Sequence, residues 1–399
     1  MTGTRLPAAQ LRPGETAEPA YIADRAVTDQ DSAPPMVQFL DANGRLAVDP
    51  AYNGYSGGTG PERLKQLYRD MYLLRRFDQE STALQRQGEL ALWVPLTGQE
   101  AAQIGSGRAL QSQDYAFPTY REHGVALTRG VRPAQILGLF RGITNGGWDP
   151  REYNFHLYTL VLAAQTLHAV GYAMGIQRDG LADPDLPPAA SVAYFGDGAS
   201  SEGDVHESMV FAASFNSPVV FFCQNNHWAI SVPSSVQTRV PLAQRAEGYG
   251  FPGIRVDGND VLAVEAVTNW ALERARSGGG PVLIEAFTYR MSAHTTADDP
   301  SKYRLTEDEA QWHPKDPLAR LEKHLRSSGK AEEDYFDALT DEAKTMASEL
   351  RRDVLAMTAP SLKERFASVY AEPHPLIQEE LKSWQDYESG FVDAGAGDR

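Results

Sequence analysis

The 399-residue chain has one cysteine, no long apolar run and no excess of basic charge. Each absence excludes something. A lone thiol, Cys223, cannot form an intrachain disulfide, so this is no disulfide scaffold and a reducing compartment is expected. No stretch of about 18 or more apolar residues occurs, so no transmembrane helix and no membrane association are expected. The first thirty residues lack the apolar h-region of a signal peptide. Glu15, Glu18, Asp24, Asp29 and Asp31 break the acid-poor pattern of a mitochondrial transit segment. Cytoplasmic localisation follows as the expectation. A net charge of −16 offers no basic stripe to neutralise phosphates, which argues against nucleic acid as a partner. Walker A and HExxH spacings are missing too, and no internal repeat is evident.

What is present suits a globular protein with a large core: 42% hydrophobic and 23% charged residues. Its organising stretch runs from Ser191 to Ser231. The apolar run Val192–Phe195 reaches the break Gly196-Asp197-Gly198. A helical pattern follows over about 202–215, then a second apolar run from Pro218 to Cys223, ending on Gln224-Asn225-Asn226. Parallel strands joined by a crossover helix bring their C-termini to one sheet edge, where α/β folds bind ligands. Asp197 and Asn226 should therefore face one pocket. Taken alone, the Gly-Asp-Gly turn reads first as a capped strand-to-helix junction. With the amide pair after the next strand, the favoured reading is a hard cation bridging a diphosphate. Magnesium takes oxygen donors and keeps phosphate oxygens in its shell. Glycine permits close backbone approach and positive φ, and the helix N-terminus offers N–H groups to an anion.

The rest of the chain extends the alternation. Residues 1–36 read as a flexible arm, and Val37–Leu40 as a short strand. Helices are predicted from Pro61 to near Gly88, at 99–110, 133–142 and 159–177. Within the last, Ala163, Ala164, Ala169, Gly171, Ala173 and Gly175 permit close helix packing across an interface. Strands near 253–257 and 281–286 flank a helix reaching Arg276. These imply a doubly wound, mostly parallel α/β sheet as one domain over 37–310. A helical C-terminal extension is expected over 311–390, with a frayed tail at 391–399. Cys223 reads as inert core. Phe117–Gly124 reads as a polar, aromatic loop. There Arg121 is a fixed charged donor suited to a phosphate oxygen, or else half of a surface Arg–Glu pair. His123 reads as a solvent-edge histidine. His294 stands in a polar loop just past a core strand end, on the same pocket edge.

The Gly-Asp-Gly turn, with residues 199–224 between it and Asn225-Asn226, resembles the thiamin-diphosphate motif. From about Pro61 to the mid-300s the chain closely resembles the E1 α subunits of 2-oxo acid dehydrogenase complexes, of the pyruvate or branched-chain type. The resemblance implies a thiamin-diphosphate-binding fold. It also implies magnesium held by Asp197, Asn226 and the carbonyl of Trp228. Cofactor contacts carry over to Tyr120, Arg121, Leu162, Gly196, Asp197, Gly198, Asn226 and His294. His294 and Arg290 carry over as catalytic residues, on a loop that also matches at Asp298, Tyr303 and Arg304. Some relatives hold potassium with a Thr and a Gln; here Gln165 is kept and Ala164 replaces the Thr. Gln224 stands where some relatives have an arginine that touches phosphate. Trp93, Val94 and Leu96 match a stretch on the substrate side.

The implied reaction is oxidative decarboxylation of a small 2-oxo acid, with acyl transfer to the lipoyl group of E2. A branched-chain acid such as 3-methyl-2-oxobutanoate is slightly favoured over pyruvate. Thiamin enzymes need a carboxylate on the aminopyrimidine ring, which two-chain E1 enzymes take from the β subunit. One sheet domain is found here, so an α2β2 heterotetramer is implied. The alternatives are an acetoin dehydrogenase E1 α subunit and a catalytically silent cofactor-binding subunit. Intact Asp197, Asn226, Arg121 and His294 argue against silence. A nicotinamide Rossmann site fails, because Gly203 comes too late for the third glycine.

Overall fold

The computed structural model describes residues 35–391. The expected N-terminal arm, apart from its last residues, and the tail beyond 391 lie outside the described residues. Five strands build the main sheet: β1 (Tyr115–Phe117), β2 (Ser191–Gly196), β3 (Val219–Asn225), β4 (Gly253–Asp257) and β5 (Val282–Phe287). Their spatial order is β1-β2-β3-β5-β4, and every pairing is parallel. After β3 the chain crosses to the far edge and returns to insert β5 beside β3. Val37 extends that far edge by a parallel bridge to Val256.

Both sheet faces are covered, which explains why the strands read as unbroken apolar runs. Val192 and Tyr194 of β2, Val220 and Phe222 of β3, and Val282 and Ile284 of β5 point into one core. Helices α1 (Pro61–Arg86), α2 (Glu100–Ala109) and α5 (Val261–Arg276) contribute to it. Ala193, Phe195, Phe221, Cys223 and Leu283 point into the other, with α3 (Ala164–Ala182) and α4 (Gly203–Ser214). Phe221 and Phe222, adjacent in sequence, bury in opposite cores at about 1.5–3 kcal/mol each. A one-residue slip would exchange every side chain between the faces, so the register is strongly fixed. Cys223 is fully buried, as its apolar strand implied.

Several boundaries differ from the sequence reading. The helix predicted over 159–177 starts at Ala164, because Ala163 adopts φ +71 and breaks the backbone, and it continues to Ala182. Of its small residues, Ala169 and Ala173 pack inward, whereas a Cβ at Gly171 or Gly175 would meet nothing within 4 Å. Strand β1 has no sequence signal because three residues are too short to stand out as an apolar run. At the C-terminal side, α6 (Pro317–Ser327) and α7 (Glu333–Leu355) bury Leu321, Leu325, Phe336, Leu339 and Val354 in the first core. Helix α8 (Pro375–Ser389) buries no residue. No described helix is long and apolar enough to cross a membrane.

Candidate active site

The C-terminal ends of β2 and β3 open onto a cavity of about 330 Å³. Tyr120, Arg121, Leu162, Gly196, Asp197, Gly198, Asn226, Trp228 and His294 all line it. Five sequence segments separated along the chain thus converge, and the sheet edge gathers them. Neither Gly196 nor Gly198 has positive φ, so their value here is size. A Cβ on Gly198 would sit 2.7 Å from the Ala229 Cβ, while one on Gly196 would meet nothing within 4 Å. The first lets the loop after β3 lie on the turn; the second keeps the cavity wall low.

Asp197 is 2% exposed. Burial pushes its carboxyl up to about 6, opposed by backbone N–H groups and by the Arg290 charge. Its Oδ1 accepts from the Asn226 N–H at 3.3 Å, and its Oδ2 from Gln237 Nε2 at 3.5 Å. The Asn226 Oδ1 accepts from the Trp228 N–H at 3.2 Å, and its Nδ2 donates to Gln99 Oε1 at 3.1 Å. The chain after β3 is left-handed at His227, φ +71, and again at Ile230, φ +55. A β-branched residue in that region is an outlier of the kind that gathers at functional sites.

This donor set fits a hard cation. It supplies one carboxylate, one amide oxygen and one carbonyl, and no Lys, Arg or His pairs with Asp197 within ion-pair distance among the described residues. The amide and carbonyl oxygens each keep a second lone pair beside the hydrogen bond they accept. Among the described residues no group of three or more His, Cys, Asp or Glu is placed to hold a metal.

Arg121 is 6% exposed, so the surface Arg–Glu alternative falls; Glu122 beside it is 1% exposed. The guanidinium donates through Nη1 to the Pro95 carbonyl, and through Nη2 to Nδ1 and the carbonyl of His294 at 3.1 and 2.9 Å. Guanidinium only donates, so Nδ1 accepts and the imidazole proton sits on Nε2. Burial first, then the Arg121 and Arg290 charges, lowers the His294 pKa to about 4. Asp298 accepts from the His294 N–H at 2.8 Å and from the Tyr303 hydroxyl, which fixes the loop. Arg304 ties the same loop through the Arg290 and Met291 carbonyls.

Three expectations need correction. Arg290 does not line the cavity: it is fully buried behind it. Its Nη1 donates to the Trp228 carbonyl at 3.2 Å, and its Nη2 to the Ile230 carbonyl at 2.7 Å and the Tyr303 hydroxyl at 2.8 Å. It shapes the wall from outside the lining. His123 is not at the solvent edge but fully buried, stacked on Trp93 at 4.4 Å. Its Nε2 donates to the Val94 carbonyl at 3.0 Å, its Nδ1 pairs with the Tyr158 hydroxyl at 2.7 Å, and burial lowers its pKa to about 3. The side chains of Trp93, Val94 and Leu96 are buried away from the cavity, with Asp78 holding the Trp93 indole N–H and the Leu96 N–H.

Other residues line the cavity beside those expected to contact a cofactor, and Gln99, Ile230 and Gln237 had no sequence signal as such contacts. Gln99, Glu122, Gln224, Ile230 and Gln237 reach the cavity from separate elements. Gln224 donates to Glu122 Oε1 at 2.6 Å, and that carboxylate also accepts from Thr119. Gln165 is buried and donates to the Tyr194 carbonyl at 2.8 Å, with its Oε1 unpartnered.

A two-sided parallel sheet with an acid, amides, an arginine and a histidine at one edge defines an enzyme site for an anionic ligand. Residues 68–361 match the dehydrogenase E1 component family. The 3-methyl-2-oxobutanoate dehydrogenase subunit alpha of Mycobacterium tuberculosis is 48% identical over 318 residues, 79% of this chain and 85% of that protein. The pyruvate dehydrogenase E1 component subunit alpha of Staphylococcus aureus is 38% identical over 326 residues, 81% of this chain and 85% of that protein. The chain belongs to the dehydrogenase E1 component family, as an α subunit of the 2-oxo acid dehydrogenase type.

Proposed function

We propose that this cavity holds the metal–diphosphate end of thiamin diphosphate, and that the chain decarboxylates a branched-chain 2-oxo acid together with a β subunit. The observation that carries the reading is the convergence of Asp197, Asn226, Trp228, Arg121, Tyr120 and His294 on one cavity at the ends of β2 and β3. Asp197, Asn226 and the Trp228 carbonyl would hold Mg²⁺. Tyr120 and Arg121 would face the diphosphate, and Leu162 the aminopyrimidine half. When bound, the thiazolium ring supplies the electron sink for loss of CO₂. His294, neutral with its proton on Nε2, offers a hydrogen-bond donor in a partly buried site. That suits it to orienting the substrate oxygen or steadying charge during acyl transfer to a lipoyl group. Arg290 becomes a positioning residue that holds the Trp228 and Ile230 carbonyls in place.

The branched-chain preference is supported by the 48% identity to a 3-methyl-2-oxobutanoate dehydrogenase subunit alpha, against 38% to a pyruvate dehydrogenase one. A methylene is worth only about 1–3 kcal/mol of discrimination, so the substrate is decided by assay. The assembly would be an α2β2 heterotetramer that serves the lipoyl domain of an E2 in the cytoplasm. The test is co-expression with a β subunit and a panel of 2-oxo acids. Turnover of 3-methyl-2-oxobutanoate well above pyruvate is expected; a reversed order would move the substrate to pyruvate. Asp197→Ala should abolish Mg²⁺-dependent thiamin diphosphate binding, and unchanged calorimetric affinity would remove the metal assignment.

A further inference from the structure

One buried charge is left unexplained by the site as described. Glu285 lies in the interior strand β5, 1% exposed, between the apolar Ile284 and Ala286. Among the described residues no lysine, arginine or histidine pairs with it. A carboxylate buried without a cation is costly, and an apolar side chain would serve the sheet better. Its two oxygens are nonetheless fully directed. Oε1 accepts from the Asn225 Nδ2 at 2.7 Å, and Oε2 from the Ala243 N–H at 3.0 Å.

Asn225 passes that constraint on. With its Nδ2 committed to a group that only accepts, its Oδ1 must face the other way. There it accepts from the His227 N–H at 3.2 Å, inside the left-handed turn. The Asn225 and Asn226 carbonyls are held by the Thr288 and Arg290 N–H groups. The turn that presents Asn226 and Trp228 to the cavity is thus braced through the first amide of the pair, from beneath, by Glu285.

We propose that Glu285 is a positioning residue for the cation site: through Asn225 it sets the 225–228 turn. The inference rests on the thiamin–magnesium reading above. Partners outside the ligand set of a metal commonly matter this way. The first asparagine of the pair thereby acquires a task distinct from that of the second.

The geometry permits a polarity swap. In Glu285→Gln the amide cannot accept from both Asn225 and Ala243, so one contact fails. In the double variant Glu285→Gln with Asn225→Asp, the new amide nitrogen donates to the new carboxylate. Its oxygen still accepts from Ala243, and the second carboxylate oxygen still accepts from His227. Every group is paired again and the charge stays in the brace.

The experiment is calorimetric titration of the α–β complex with thiamin diphosphate at graded Mg²⁺, alongside the thermal midpoint of the unliganded complex. Wild type should bind in a Mg²⁺-dependent way; if it does not, the thiamin–magnesium reading falls and the brace with it. Glu285→Gln should raise the Mg²⁺ requirement by about 10–100-fold, and the double variant should recover most of that loss. A purely structural Glu285 would lower the thermal midpoint and leave the Mg²⁺ requirement unchanged, which overturns the proposal while the thiamin reading stands. If Glu285→Gln does not fold, the double variant decides: near-wild-type Mg²⁺ dependence supports the brace, and a large loss refutes it.

Discussion

Arg121 and His294 are 173 positions apart, yet one guanidinium nitrogen reaches both the ring and the main chain of the histidine, at 3.1 Å to Nδ1 and 2.9 Å to the carbonyl. The contact fixes the tautomer and opposes protonation. The other charges facing the ring are Arg290, which also opposes it, and Asp298, which favours it. The folded pKa of about 4 lies below the unfolded value of about 6.5. Stability tied to the neutral ring is therefore complete above about pH 6.5 and is lost as the pH falls toward 4. In NMR of histidine-labelled protein, the His294 ring signal should stay flat from pH 8 to about 5. A midpoint near the free value would show that Arg121 does not hold the ring.

The same pairing separates two roles of His294 by substitution. In His294→Asn the amide oxygen can stand in for Nδ1 and keep the Arg121 contact, while the Nε2 donor is lost. Cofactor affinity should be retained, with acyl transfer to a lipoyl domain down by about 10²–10³-fold. Wild-type transfer in that variant would make the histidine a loop anchor only.

Arg290→Gln addresses the residue that the sequence placed among the catalytic groups. Its three contacts run to the Trp228 and Ile230 carbonyls and the Tyr303 hydroxyl. Losing them should cost about 1.5–3 kcal/mol in chemical denaturation, and should weaken Mg²⁺-dependent cofactor binding. The KM for the 2-oxo acid should hardly change. A large KM effect with intact stability would restore Arg290 to the substrate.

The sheet and the first layer of the site were legible for one physical reason. Two-sided burial makes strands continuous apolar runs, and a parallel sheet must bring their ends together, so Asp197 and Asn226 meet. Arg290 was misplaced because its loop position resembles that of His294, while burial differs completely between the two. His123 was misread because a polar loop hides a histidine whose both ring nitrogens are satisfied, by Val94 and Tyr158. Ile230 reaches the cavity through a left-handed turn that no propensity signals, and Gln237 from the end of the short helix Ser234–Gln237. Glu285 has no signal in the sequence, because its partner Asn225 lies on the neighbouring strand β3.

Asp197→Asn should separate fold stability from cation binding. A buried carboxylate without a cationic partner costs stability in the unliganded chain, and its amide replacement removes that cost. The variant should melt at or above the wild-type temperature without metal, and gain nothing when Mg²⁺ and thiamin diphosphate are added. Wild type should gain. Equal gains in both proteins would show that the cation binds elsewhere.

The rim of the cavity carries the last prediction. Leu160, Val161 and Leu162 are consecutive and exposed, and Ile230 across from the turn is exposed as well. Leu162 and Ile230 line the cavity itself, so its mouth is apolar and open to solvent. An apolar rim beside a polar floor is the profile of a surface that another protein covers. The missing carboxylate for the aminopyrimidine ring would arrive on that same partner. The purified chain alone should then show no decarboxylation at saturating cofactor, and the β subunit should restore it. Val161→Asp, a residue that does not line the cavity, should weaken assembly measured by analytical ultracentrifugation. The chain's own thermal midpoint should stay in place. Robust turnover by the chain alone would sink the half-site reading, and unchanged assembly in Val161→Asp would move the partner surface elsewhere.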